Sequence, residues 1–184
     1  MRQLKQGARI LSIATGPING KRALLLGVVS QSARVEGILS SKVSVNGTDS
    51  TGKIIAMLKR SRFAGQVGMI ALNGIAQAGL NVVDAELLKE KLGAEVIVLT
   101  RHRPRPSLLI AALRKYGKRS NADVSKSVAL VRAQKKPVSL DGFYVSGTKP
   151  TKTLRKLVPI TFEMLRLSHL IARGVSTGES KGRI

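Results

Sequence analysis

Residues 23–29 read Ala-Leu-Leu-Leu-Gly-Val-Val. An unbroken apolar run of this length, bounded by polar residues, fits a strand buried on both faces. Upstream, Arg9-Ile-Leu-Ser-Ile-Ala14 is a second apolar strand, ended by Gly16-Pro17 and the turn Asn19-Gly20. Downstream, Val35 to Val45 alternates and is expected to pair with the first run, ending at Asn46-Gly47. Thr48 or Asp49 then offers an N-cap for a helix carrying Ile54, Ile55 and Leu58. Val67 to Leu72 is a further buried strand ended by Asn73-Gly74, Val82 to Leu92 a helix closed by Gly93, and Glu95 to Leu99 another strand. Three antiparallel strands followed by strand–helix units predict an α/β fold, a mixed β-sheet flanked by helices.

At Thr100 the composition changes. Arg101-His-Arg-Pro-Arg-Pro106 is a stiff basic loop leading into a helix over Ser107 to Tyr116. A short helix over 122–134, an edge strand from Val138 to Val145 interrupted at Asp141-Gly142, a basic helical turn from Pro150 and a last helix over 161–174 follow. The 184 residues are read as a single domain, with an α/β core over 1–100 and a strongly basic extension over 101–184.

Lys and Arg number 32 against 10 Asp and Glu, a formal net charge of +22. Residues 101–184 hold nineteen basic and four acidic side chains, a net +15. A folded chain with this imbalance repels itself unless a polyanion neutralises it, and nucleic acid is the default polyanion. The basic residues fall in clusters. Lys59, Arg60 and Arg62 end the first helix; Arg101, Arg103 and Arg105 flank the prolines; Arg114, Lys115, Lys118 and Arg119 crowd a helix end. Lys135 and Lys136, then Lys149, Lys152, Arg155 and Lys156, complete the set. Phe63, Phe143, Tyr144, Tyr116 and Phe162 are too scattered for a stacking platform, so contact is expected through phosphates and shape.

The chain has no Cys, so disulfides, thiolate metal sites and thiol nucleophiles are excluded. No apolar run approaches the roughly 20 residues of a membrane helix, and the N-terminus lacks the apolar core of a signal peptide. A cytoplasmic location is expected. Gly47-Thr-Asp-Ser-Thr-Gly-Lys53 matches the spacing of a phosphate loop, but Ile54 stands where a metal-holding Ser or Thr is needed, and a capped helix start is the better reading. His169, within the apolar repeat of the last helix, reads as a packed or hydrogen-bonded residue, and His102 as a neighbour of phosphate or solvent.

Several ordered stretches carry a family resemblance: Arg34-Val-Glu-Gly37 with Gly47-Thr-Asp49; Lys59-Arg-Ser-Arg-Phe63 with Gln66; Asn73-Gly-Ile75 with Ala78-Gly79 and Asn81-Val-Val-Asp84; Val96-Ile-Val98 with Thr100-Arg101; and Leu167-Ser-His-Leu-Ile171 with Gly178-Glu-Ser-Lys-Gly-Arg183. Across most of its length the chain resembles an archaeal family of unknown function related to endonuclease V. The resemblance implies an RNase H-like fold with a carboxylate site at strand ends. Members carry an Asp-Asp-Gly-Pro turn where this chain has Ala14-Thr15-Gly16-Pro17, and an Asp-Gly pair where it has Asn73-Gly74. Asp49 and Asp84 remain, the first suited to a helix N-cap and the second to the first turn of a helix.

The expectation from these observations is a non-enzymatic, structural RNA-binding protein, ribosome-associated, on a nuclease scaffold that has lost its metal site. RNA, above all ribosomal RNA, and neighbouring ribosomal proteins are the expected partners, with no membrane, small-molecule substrate, cofactor or metal. The alternatives are a metal-dependent endonuclease using Asp49, Asp84 or Glu36, and a DNA-binding chromatin-type protein.

Overall fold

A computed structural model of the chain describes residues 7–116, 123–149 and 151–180. β1 (Arg9–Thr15), β2 (Arg22–Gln31) and β3 (Arg34–Ser44) form an antiparallel meander, with Gly20 at φ +80° and Ser32 at φ +54° in the two turns. α1 (Ser50–Lys59) carries the chain across the sheet to β4 (Val67–Asn73), which lies parallel to β1. A small hairpin, β5 (Ala76–Gln77) and β6 (Asn81–Val82), and α2 (Ala85–Leu92) then lead to β7 (Glu95–Thr100), parallel to β4. α3 (Pro106–Tyr116), α4 (Val124–Ala133), β8 (Val138–Leu140), β9 (Phe143–Ser146) and α5 (Lys152–Thr177) complete the chain. The sheet order is β3-β2-β1-β4-β7-β9-β8.

The alternation of side chains across the central strands divides the core into two layers. Leu11, Ile13, Ile70 and Leu72 face α1 and α2, meeting Ile54, Leu58 and Leu88. Ile10, Met69, Ala71 and Ile97 face the other way, onto Leu154, Phe162 and Leu165 of α5. Strands covered on both sides are apolar at nearly every position, which is why β2, β4 and β7 read as near-continuous runs, with the buried Glu95 of β7 paired to Lys89. β3, at the sheet edge, alternates as expected, with Val43 buried and Lys42 exposed.

Three expectations change. The helix read from Val82 starts at Ala85, because Asn81 and Val82 pair with β5, and Asp84 becomes its N-cap, accepting from the Leu87 N–H at 3.0 Å. The single edge strand over 138–145 is a hairpin: Asp141 and Gly142 have φ +49° and +83°, the mirror-turn geometry that reverses a strand. The basic turn and last helix are one helix of 26 residues running through Pro159. Proline in a helix interior costs about 3 kcal/mol. Leu154, Val158, Phe162 and Leu165 lie on both sides of it and are all buried on the sheet. Each contributes about 1.5–3 kcal/mol by burial, so the continuous helix wins, with the proline ring turned to solvent. The Gly117 helix stop and the Pro150 start lie outside the described residues. Among the described residues no helix is long and apolar enough to cross a membrane.

Candidate nucleic-acid interface

β1 and β4 run parallel side by side, with Ile13 opposite Leu72. One residue further along both strands stand Ala14 and Asn73, on the face that α5 covers. Both strands end here: Gly16 follows β1 and packs so closely on α5 that an added Cβ would lie 2.9 Å from the Ala172 carbonyl oxygen. The glycine-proline turn is therefore kept by helix packing. α5 also closes the strand end by hydrogen bonds. Ser168 Oγ donates to the Ser12 carbonyl at 2.7 Å, and His169 Nδ1 lies 3.1 Å from the Thr15 carbonyl. A carbonyl only accepts, so Nδ1 carries the proton. His169 is thus the hydrogen-bonded helix residue read from the sequence.

A divalent metal at these strand ends would need several carboxylates. Ala14 has no donor atom and is buried, Thr15 Oγ1 accepts from the Ala78 N–H at 3.3 Å, and Asn73 offers only a neutral amide oxygen. Among the described residues no group of three His, Cys, Asp or Glu side chains stands together. The residues present do not fit a metal clamp.

The three carboxylates considered as substitutes are each already bonded within the fold. Glu36 pairs with Arg9 Nε at 2.6 Å, where β1 begins, at the far end of the strand from Ala14. Asp84 caps α2. Asp49 occupies the N-cap position of α1 as read from the sequence, its carbonyl accepting from the Lys53 N–H at 2.9 Å, but its side chain makes no cap bond to that helix. It accepts instead from the Ser44 N–H at 3.1 Å and from Asn81 Nδ2 at 2.7 Å. Partial burial pushes the Asp49 carboxyl up, and the bonds from Asn81 and Ser44 outweigh it, so its pKa lies below the usual value. Asn81 Oδ1 in turn accepts from the Ser50 N–H, so a free amide of the phosphate-loop-like stretch is spent on a side chain.

The basic clusters behave differently. Lys59, Arg60, Arg62, Arg101, Arg103, Arg105, Arg114 and Lys115 are exposed, and so are Lys135, Lys136, Lys149, Lys152, Arg155 and Lys156. Lys118 and Arg119 lie outside the described residues. The ion pairs among the described residues join Arg9, Lys89, Lys91 and Arg166 to glutamates, and none uses a cluster residue. The fold joins two clusters: Arg105 and Lys135-Lys136 border one cleft of about 400 Å³ beside the ends of β4 and β7. Arg132 lies on the same cleft. Arg132 belongs to none of the clusters of the sequence, although its place three residues before Lys135 on a helix end is a usable signal. At the opposite end of the sheet Arg62 shares a polar cleft with Arg9 and Arg34, and its guanidinium donates to the Glu36 carbonyl at 2.8 Å. The aromatic rings are mostly internal: Phe63 and Phe162 are buried, Phe143 packs on Phe162 at 4.7 Å between centroids, and Tyr116 is exposed.

A family model described as endonuclease dU matches residues 6–176. The chain belongs to the endonuclease dU family. Relatives at comparable length include a UPF0215 protein of Thermococcus kodakarensis, 34% identical with 98% of each chain covered. Another is a UPF0215 protein of Methanothermobacter thermautotrophicus, 33% identical with 98% of this chain and 94% of the relative covered. Among solved structures, a protein of unknown function from Archaeoglobus fulgidus is similar with a TM-score of 0.80 at 26% identity, covering 91% of this chain and 98% of that one. The catalytic domain of human Endonuclease V is similar with a TM-score of 0.51 at 13% identity, over 93% of this chain and 84% of that one. At that identity the likeness shows the fold alone, the RNase H-like arrangement expected from the resemblance. Within the endonuclease dU family, this member presents Ala14 and Asn73 at the paired strand ends.

Proposed function

We propose that this protein binds structured RNA through its basic clusters and has given up metal-dependent cleavage, acting in the cytoplasm as a component associated with the ribosome. The observation that carries the reading is the placement of Ala14 and Asn73 next to the last paired residues of β1 and β4, Ile13 and Leu72, against a surface of fourteen described cluster cations that form no ion pair with a carboxylate among the described residues. A site built for two-metal chemistry concentrates negative charge, whereas this chain concentrates positive charge that needs phosphates nearby. The binding mechanism is neutralisation of several phosphates with release of counterions, and ribosomal RNA supplies the densest array of phosphates available to such a surface. Neighbouring ribosomal proteins would be secondary partners.

Sedimentation of a lysate on a sucrose gradient tests the reading. Co-migration with ribosomal subunits at low salt, lost at high salt, is the expected result. A position at the top of the gradient in low salt overturns it, and enrichment on nucleoid material transfers the binding to DNA.

The family description supports a second reading, an endonuclease acting on deoxyuridine-containing DNA. Incubation of the purified chain with such DNA and Mg²⁺ or Mn²⁺ separates the two. Cleavage by the purified chain that requires the metal ion would establish the enzyme, and intact substrate is expected.

A further inference from the structure

We propose that the cleft between α3 and the segment joining α4 to β8 receives one unpaired nucleotide of an RNA strand, its base among aliphatic side chains and its phosphate on the rim. The proposal rests on the RNA-binding reading above and deepens it. The cleft holds about 400 Å³, the size of an ordinary small-ligand site. Its interior is formed by Val98, Val131, Ile75, Leu109 and Ile110, and prolines 104, 106 and 137 stiffen its walls. Arg105, Arg132, Lys135 and Lys136 border it, all of them exposed, and no acidic residue lines it. Ser146, Thr100 and Gln134 add polar atoms able to meet the edge of a base.

The charge pattern selects the occupant. An apolar interior alone would suit many ligands, but four cations at one mouth call for an anion attached to an apolar, hydrogen-bonding ring. A nucleotide joins those two features in one molecule. A duplex buries its bases in the stack and cannot fill the cleft, whereas loops, bulges and ends can splay one out. The lining contains no aromatic ring, so the base would be held between aliphatic faces and not by stacking. The cleft also includes Gly74, directly after Asn73, so it adjoins the end of β4.

Fluorescence anisotropy on the full chain, with a labelled single-stranded oligoadenylate and a blunt RNA duplex, tests this. Leu109→Gln and Ile110→Gln place amides in the interior at half-buried positions. Each is expected to weaken oligoadenylate binding about tenfold and duplex binding less than about twofold. Equal losses on both RNAs, or no loss on either, overturn the cleft proposal and leave the RNA-binding reading intact. A wild-type chain that binds neither RNA overturns both. Methyl NMR of the unaltered protein with adenosine monophosphate guards against variants that fail to fold. Shifts at Leu109, Ile110 and Val131 are expected, and their absence sinks the proposal. A single-stranded DNA arm that matches the RNA in affinity and variant losses overturns the assignment to RNA. Shifts produced by an acidic peptide in place of the nucleotide reassign the cleft to a protein partner.

Discussion

Asn81 Nδ2 donates to Asp49 Oδ1 at 2.7 Å across 32 residues of chain, while Asn81 Oδ1 accepts from the Ser50 N–H. One side chain thus holds both the carboxylate and the start of α1. With Ser44 as the second donor, the clasp ties β3, α1 and the β5–β6 hairpin together behind the strand ends. Asp49, which the sequence offers as a possible metal ligand, works as a structural acceptor.

Asp49→Asn should therefore destabilise the protein by about 1–3 kcal/mol at pH 7, the usual contribution of a charged hydrogen bond. The folded-state pKa of Asp49 is lowered, so its stabilisation is complete above the unfolded value near 4 and fades as pH falls through the folded value. Urea unfolding of both proteins at pH 7 and again at a pH below that folded value checks this. The gap between them should shrink at the acid end, and a gap independent of pH would count against the clasp.

Ala14→Asp with Asn73→Asp would set two carboxylates on adjacent strands facing α5. In the absence of metal the pair should destabilise through like-charge repulsion. Mn²⁺ should then raise the melting temperature of the double variant, by about 2.7 kcal/mol of stability at a hundredfold excess over the dissociation constant. The unaltered protein should show no Mn²⁺-dependent shift. Differential scanning fluorimetry with and without the ion decides it.

Phosphate neutralisation makes binding salt-dependent, with a log–log slope of about −0.7 to −0.9 per phosphate contacted. Lys135→Gln and Lys136→Gln should each reduce the slope by about one for RNA binding, with little change in preference among sequences. Glu163 is already paired with Arg166 at 2.9 Å, so Arg166→Gln is the control expected to leave the slope nearly unchanged. Titrations across a salt series give all three slopes.

Gly16→Ala brings a methyl group to 2.9 Å from the Ala172 carbonyl oxygen and 3.1 Å from Ser176 Oγ. The first contact is with backbone of α5, which cannot swing aside as a side chain can. A loss of about 1–3 kcal/mol is expected, as for other overpacked sites. Thermal unfolding measures it, and a neutral substitution would mean that α5 docks less tightly on the turn.

The central strands were legible because burial on both faces leaves a plain mark, the unbroken runs at 23–29, 67–72 and 96–99. Polar turn pairs such as Asn46-Gly47 and Asn73-Gly74 marked their ends, and the charge count placed the basic surface after residue 100. That Ala14 and Asn73 stand near these strand ends was also readable, since it concerns residue identity and strand bounds alone. Other features were not local. Pro159 reads as a break, and the helix runs through it because apolar residues on either side dock on one sheet. Asp49 reads as a cap, and its carboxylate turns away because Asn81, distant in sequence, supplies donors in front of it. Arg105 and Lys135 read as members of separate clusters, and the packing of α3 beside α4 sets them on one cleft. Sequence by itself determined which side chains are apolar, charged or missing. Tertiary structure decided which of them meet, because contacts between distant segments depend on how helices dock on the sheet, and no local pattern encodes that.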